Sequence, residues 1–244
     1  MYYSLTQGRF SLSRYVTIGG NLEMSNSKWK KYFDQRAELH GASVKSSDYF
    51  DDASFFMQRE NILGWLGKLK GKGILDAGCG VGAFSEPLVE HNNVYGVDFS
   101  EKSLEFATAR GLSTMTGDLT ALKFEDGKFD VVLCIGVIQL IEQYMSVIKE
   151  LARVTAPGGT LLVETLHKSS VQRKALKLFE RSKKFDKMYA MDELKKAFLQ
   201  QGFEQIEFLK MYHPFQFVTK GSGEGMLSDL FCTSFAIKGR KKID

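Results

Sequence analysis

Three observations predict an α/β chain built on an open, doubly wound, mostly parallel sheet. Short apolar runs alternate with amphipathic segments from about residue 73 to residue 163. Phe129-Asp-Val-Val-Leu-Cys-Ile135 is apolar almost throughout, as a central parallel strand buried on both faces must be. Ile74-Leu-Asp-Ala-Gly-Cys-Gly-Val-Gly-Ala-Phe84 runs from a buried strand through Gly78, Gly80 and Gly82 toward Phe84, Leu88 and Val89, spaced as the inner face of a helix.

Taken in order, residues 1–23 have no clear periodicity, and a loose arm or partner-binding extension is expected there. A second reading makes Met24 the true start. From Ser27 the chain is aromatic. Trp29, Phe33 and Arg36 share one helical stripe; Phe55, Phe56, Arg59 and Ile62-Leu63 continue the pattern. These short helices either pack their aromatics on the main body or form a lid that excludes water from a ligand, and both hold together. Strand one is expected at 73–77 and a helix at 82–91, with Pro87 near enough its start to cost little. Strand two is Val94-Tyr-Gly-Val97, ending in Asp98, and Ser100 caps a helix over 101–110. Strand three covers 113–116 and strand four 129–135. A helix follows over 141–154, then a turn at Ala156-Pro-Gly-Gly159 and strand five at Thr160-Leu-Leu-Val163. A helix over 192–201 stops at Gly202. Ile206 and Phe208 mark a strand, Gly221–Gly225 a loop, and Phe231–Ile237 a last strand that forms an antiparallel pair closing the sheet.

The totals bound the rest. A chain of 244 residues, 43% hydrophobic and 25% charged, suits one large α/β domain with an elaboration, or at most two small domains. The expected division is an arm and helical lid over 1–57, then the main domain over 58–244. A net charge of +4 is too mild to imply nucleic acid. Cys79, Cys134 and Cys232 are far apart, so neither disulfides nor a metal site is expected, and reduced thiols fit a cytoplasmic protein. No apolar run is long enough to span a bilayer, and no signal peptide is expected. Residues 165–190 carry Lys168, Arg173, Lys174, Lys177, Arg181, Lys183, Lys184 and Lys187 against only Glu180 and Asp186. Val171, Ala175, Leu178 and Phe179 recur there at helical spacing, so a basic amphipathic helical cover is expected.

The glycine turn by itself is ambiguous, since Gly78-x-Gly80-x-x-Ala83 also satisfies a dinucleotide fingerprint. Five ordered stretches narrow it: Leu75-Asp-Ala-Gly-Cys-Gly-Val-Gly82, Val94-Tyr-Gly-Val-Asp-Phe-Ser100, Gly117-Asp118, Phe129-Asp-Val-Val132 and Ala156-Pro-Gly-Gly159. Their order and spacing over roughly 58–237 resemble class I S-adenosylmethionine-dependent methyltransferases. The resemblance implies a Rossmann-like sheet of seven strands with a C-terminal antiparallel hairpin. It also implies S-adenosyl-L-methionine as cofactor and a methyltransferase activity. Asp98 would accept both ribose hydroxyls, and Phe99 would face the adenine. Asp118 would take the adenine amino group, with Leu119 beside it. Asp76, Gly78 and Gly80 would lie at the methionine end, flanked by Ile135.

Within that family the chain is most similar to the ubiquinone-pathway O-methyltransferase type, whose arginine before strand one reaches the cofactor; Arg59 occupies a similar position, with a surface salt bridge as the alternative. The chain departs from that group after strand four. It reads Ile135-Gly-Val-Ile-Gln-Leu-Ile141 where the group carries acids and a histidine. Gln139 and Leu140 supply neither metal ligand nor base.

Methyl transfer from a sulfonium is an in-line displacement, so the protein mainly aligns the reactants and excludes water. A base is needed only if the acceptor must lose a proton. His167 after strand five and His213 after strand six are the candidates. The expected acceptor is the O or N of a small anionic metabolite, met by the basic cover. The alternatives are RNA and a catalytically silent donor-binding partner protein. Against RNA stands the lack of an Asn/Asp-Pro-Pro-Tyr motif. A homodimer is compatible with the sequence.

Overall fold

A computed structural model describes residues 26–47, 52–171, 187–212, 217–221 and 226–243. Helix α1 (Asn26–His40) and helix α2 (Asp52–Leu66) come first, with a 3-10 turn at Val44–Ser47 between them. Next come β1 (Gly73–Ala77), β2 (Asn93–Asp98), α3 (Glu101–Ala109) and β3 (Ser113–Thr116). They are followed by β4 (Phe129–Ile135), α4 (Tyr144–Val154) and β5 (Thr155–Leu166). The last described elements are α5 (Met191–Gln200), β6 (Phe203–Tyr212), β7 (Phe217–Gly221), α6 (Met226–Phe231) and β8 (Ser234–Lys241).

All these strands join one sheet in the order β3-β2-β1-β4-β5-β8-β6-β7. Neighbours from β3 to β5 pair in parallel, while β8 runs antiparallel to both β5 and β6. This is the expected seven-stranded plan, extended by the edge strand β7 along β6. The strand order reverses between β1 and β4, and a crevice opens at the carboxyl ends of an open α/β sheet at such a point.

Alternation along the strands sorts side chains into two core layers. Leu75, Val132 and Val163 face α4 and α5, which offer Ile148, Leu151, Leu194 and Phe198. Ile74, Leu133, Leu162, Leu209 and Ala236 face the other way, under Phe55, Ile62 and Trp65 of α2 and Leu104 of α3. Asp76 lies between Leu75 and Ala77, so its side chain is on the α2 face. Glu164 follows Val163 and shares that face.

Four local expectations change. The helix over 82–91 does not form; only Glu86–Leu88 makes a 3-10 turn. Gly82 sits at φ +76°, where a right-handed helix cannot begin, and Pro87 removes a donor inside the turn. The helix expected from 141 begins at Tyr144, after a separate 3-10 turn at Ile138–Leu140. Ala156–Gly159 is not a free turn but lies within β5 as an irregularity: Phe129 pairs with Thr155, and pairing resumes at Val131 with Thr160. Phe231 closes α6 instead of opening the last strand. His213, residues 1–25 and most of the expected basic cover (Arg173, Lys174, Lys177, Arg181, Lys183 and Lys184) lie outside the described residues. At the rim of that segment the Lys187 ammonium donates to the Glu142 carbonyl at 2.9 Å.

Candidate active site

The glycine turn is closed by β2. The Gly78 and Cys79 N–H groups both donate to the Val97 carbonyl, at 2.7 and 3.1 Å. The Gly80 N–H donates to Oδ2 of Asp98 at 2.8 Å. The turn's donors are therefore spent on β2, one on the Asp98 carboxylate and two on the Val97 carbonyl; they are not a helix N-terminus aimed at the ligand. Asp98 Oδ1 accepts from the Ser100 N–H at 2.9 Å, and Ser100 Oγ in turn caps α3 by accepting from the Ser103 N–H. Burial raises the Asp98 carboxyl above the usual range, while the Ser100, Gly80 and Phe99 N–H groups hold it back. A carboxylate offers about four lone-pair sites. Capacity therefore remains for hydroxyl donors at the mouth of β2, the chemistry a ribose presents. Gly78 is required for space as well as conformation: at φ +83° an added Cβ would lie 2.4 Å from Val137 Cγ2.

The N-terminal helices cover this carboxylate. Phe33 of α1 meets Phe99 edge-on, with centroids 5.9 Å apart. Ser100 Oγ donates to Asp34 Oδ1 at 2.6 Å, so α1 is fastened to the residue two beyond Asp98. Ser47 abuts the glycine turn; a Cβ on Gly80 would lie 2.7 Å from its Oγ. Arg110, at the end of α3, ties the layers together by donating to the Val81 carbonyl at 3.1 Å and the Ala42 carbonyl at 2.8 Å. The aromatic segment thus both packs and covers.

Asp76, 2% exposed, accepts from Ser85 Oγ at 2.6 Å. Burial lifts its carboxyl to about 7, against the pull of the Ser85 hydroxyl; the charge of Asp98 adds to the lift. Arg59 donates to the Ala83 carbonyl at 3.1 Å, lies 4.9 Å from the Phe56 ring and pairs with Glu60 at 3.2 Å. It therefore reaches the glycine loop and makes the salt bridge as well. Asp118 is exposed, and its Oδ1 accepts from the Thr120 N–H and hydroxyl, each at 2.8 Å. Leu119 is buried and Ile135 half-buried at the end of β4. Asp76, Gly78, Gly80, Asp98, Phe99, Ile135 and the Asp118–Leu119 pair all sit at the carboxyl ends of β1 to β4 or just beyond.

His167 is not brought to this group. It is 2% exposed, its ring packs edge-on against Phe235 in the α4–α5 layer, and Nδ1 lies 3.2 Å from the Asp229 carbonyl. Burial lowers its pKa; the charge and carbonyl of Asp229 and the Cys232 backbone work the other way. Beside it Lys210 and Asp229 form an ion pair at 2.6 Å, with the Lys210 side chain 5% exposed. Sequence reasoning missed two side chains on the Asp76 face, Glu164 and Gln58, both 4% exposed. The available signal was an acid closing the otherwise apolar run of β5, and an amide on the apolar stripe of α2. Gln139, which looked inert, braces the loop after β4 by accepting from Thr165 Oγ1 at 2.9 Å.

A sheet whose switch point presents a glycine turn and buried acids is similar to that of class I S-adenosylmethionine-dependent methyltransferases. Residues 75–163 match the family model described as a methyltransferase domain. Ubiquinone biosynthesis O-methyltransferase of Bordetella bronchiseptica is 33% identical over 150 residues, covering 55% of this chain and 62% of the relative. Demethylmenaquinone methyltransferase of Lactococcus lactis is 35% identical over 127 residues, covering 47% of this chain and 50% of the relative. The chain thus spans between half and two thirds of the length of these relatives. Among solved structures, magnesium protoporphyrin IX methyltransferase of Synechocystis with bound S-adenosylhomocysteine superposes with a TM-score of 0.68 at 22% identity, over 89% of this chain and all of that one. A Thermotoga maritima methyltransferase described as a possible histamine N-methyltransferase gives 0.67 at 24% identity, over 87% of this chain and 99% of that one. At such identities the likeness is one of fold.

Proposed function

We propose that the chain transfers a methyl group from S-adenosylmethionine to an oxygen or nitrogen of a small anionic molecule. The observation that carries the reading is Asp98: a buried carboxylate at the end of β2, held by the Gly80 and Ser100 N–H groups and covered by α1. The donor supplies a methyl already activated by positive sulfur. The chain's own work is then to bind, orient and keep water out. Asp98 accepts the ribose hydroxyls, Phe99 and Leu119 border the adenine, and Asp118 accepts its amino group. Asp76 meets the ammonium of the methionine end, with Ile135 and Arg59 at the flanks.

The names of the quinone-pathway relatives support a small-molecule acceptor. The basic composition of 165–190 supports an anionic one. His167 lies on the opposite face, against Phe235, so acceptors that react neutral, or that give their proton to a carboxylate, fit this crevice best.

The test is titration calorimetry with S-adenosylhomocysteine, followed by transfer of labelled methyl into a panel of hydroxylated aromatic acids, hydroxy acids and amines. Micromolar binding and label in one of these classes are expected. Absence of donor binding would overturn the reading, and label in RNA alone would replace the acceptor.

A further inference from the structure

Among the described residues, two buried side-chain atoms have no hydrogen-bond partner: Gln58 Nε2 and Ser234 Oγ. Folded proteins leave few such groups, because each gives up its water without compensation. Both lie on the face of the sheet that α2 covers. Gln58 lies between Phe55 and Ile62 on the buried stripe of α2, which packs on the face that carries Leu209, Met211 and Ala236. Ser234 stands opposite Leu166 and Met211 at the start of β8, two residues from Ala236, so its side chain enters the same layer.

Glu164 pairs with Ala236 on that face, which makes Ser234 its diagonal neighbour, about 7–8 Å away between Cα atoms. Glu164 also pairs with Ile135, while Asp76 pairs with Leu133 on the same strand β4. Two strand spacings, about 10 Å, therefore separate β5 from the β1 end of the crevice.

We infer that Gln58, Ser234 and Glu164 form the acceptor subsite, resting on the methyltransferase reading above. The ligand class follows from the donor and acceptor inventory. The Gln58 amide has N–H to give, so it meets an oxygen lone pair. Glu164 takes the proton-bearing group, and the Ser234 hydroxyl serves either. The acceptor is a hydroxylated compound whose reacting O–H faces Glu164 and whose neighbouring carbonyl or carboxylate oxygen faces Gln58. Glu164 accepts the hydroxyl proton as the oxygen takes the methyl, the C–S bond breaks, and S-adenosylhomocysteine leaves.

Gln58→Met, Ser234→Ala and Glu164→Gln test this. The first two remove a polar atom that has no partner in the free protein, so each should raise Tm by about 2–4 °C. S-adenosylhomocysteine affinity should stay within twofold. With a hydroxylated acceptor from the label screen, KM should rise at least tenfold in the first two variants. In Glu164→Gln, kcat should fall and the acidic limb of its pH profile should vanish. A fall in Tm for Gln58→Met or Ser234→Ala would mean the groups are satisfied by bound water or packing, and would overturn the subsite. So would an unchanged acceptor KM. A tenfold loss of S-adenosylhomocysteine affinity would assign the pair to the donor instead. Absence of transfer by the wild-type protein would defeat the parent reading, while the Tm and affinity results would still decide the fate of the orphan groups.

Discussion

The two halves of the crevice are built on different principles. In the half proposed for the donor, around β1 and β2, hydrogen bonds hold the acids and the glycine turn: the Gly80 and Ser100 N–H groups to Asp98, the Gly78 and Cys79 N–H groups to the Val97 carbonyl, and the Ser85 hydroxyl to Asp76. In the acceptor half, around β5, β8 and α2, the polar groups come from distant parts of the chain and two of them are unsatisfied. The first arrangement is preorganised. On the proposed reading, the partnerless polar atoms of the second give up stability for recognition.

The comparison breaks most visibly at Gly78. In Gly78→Ala the new methyl meets Val137 at a backbone angle that disfavours it, at a cost of about 3 kcal/mol. Tm should fall by roughly 6–12 °C in a calorimetric scan. Next is Asp98→Ala, which removes the acceptor for ribose hydroxyls and for the Gly80 N–H. Loss of two charge-assisted hydrogen bonds predicts at least about 100-fold weaker S-adenosylhomocysteine binding by titration calorimetry. Weakening below tenfold would show that the donor half does not depend on this carboxylate.

Asp34→Ala loosens α1 from Ser100 without touching the crevice floor. About 1 kcal/mol is at stake, so stopped-flow release of S-adenosylhomocysteine should quicken about fivefold. An unchanged rate would make α1 a packing element and not a cover. The smallest effect is protonic. The Asp76 carboxyl is raised to about 7 in the free protein, so it is protonated at pH 6. An ammonium beside it favours the ionised form, and donor binding at pH 6 should release a proton, read from calorimetry in two buffers. Asp76→Asn should abolish that release. Because its folded pKa exceeds the unfolded value, Asp76 contributes stability below about pH 4 that is lost as pH rises toward 7. The Asn variant should flatten that decline in a pH series of Tm values.

The buried ion pair on the other face offers a control. Asp229→Ala leaves Lys210 charged and buried, and breaking such a pair costs about 3–5 kcal/mol. It should lower Tm strongly in a calorimetric scan while leaving donor affinity intact. A coupled loss of donor binding would mean that the two faces communicate.

How legible each part was follows from how local its causes are. Strands β1 to β4 and the capped α3 were readable because apolar runs, a Ser cap and glycines act within a few residues. The helix over 82–91 failed because its inner-face spacing was outweighed by a left-handed Gly82 and by Pro87. The Ala156–Gly159 stretch has turn composition, yet pairing on both sides draws it into β5. His167 was placed by its strand end, and the sequence could not say on which face it would lie. One residue of register decides that.

By itself the sequence determined the end of the crevice proposed here for the donor. Asp76, the glycine turn, Asp98 and Asp118 are consecutive strand-end features, and a parallel sheet must bring consecutive strand ends together. The tertiary structure alone decided the acceptor end. Gln58 on a helix before the sheet, Glu164 on β5 and Ser234 on β8 come onto one face only when β8 inserts beside β5 and α2 packs over that face. No short-range signal in the chain specifies that meeting, because it is fixed by sheet order and by which face each side chain takes.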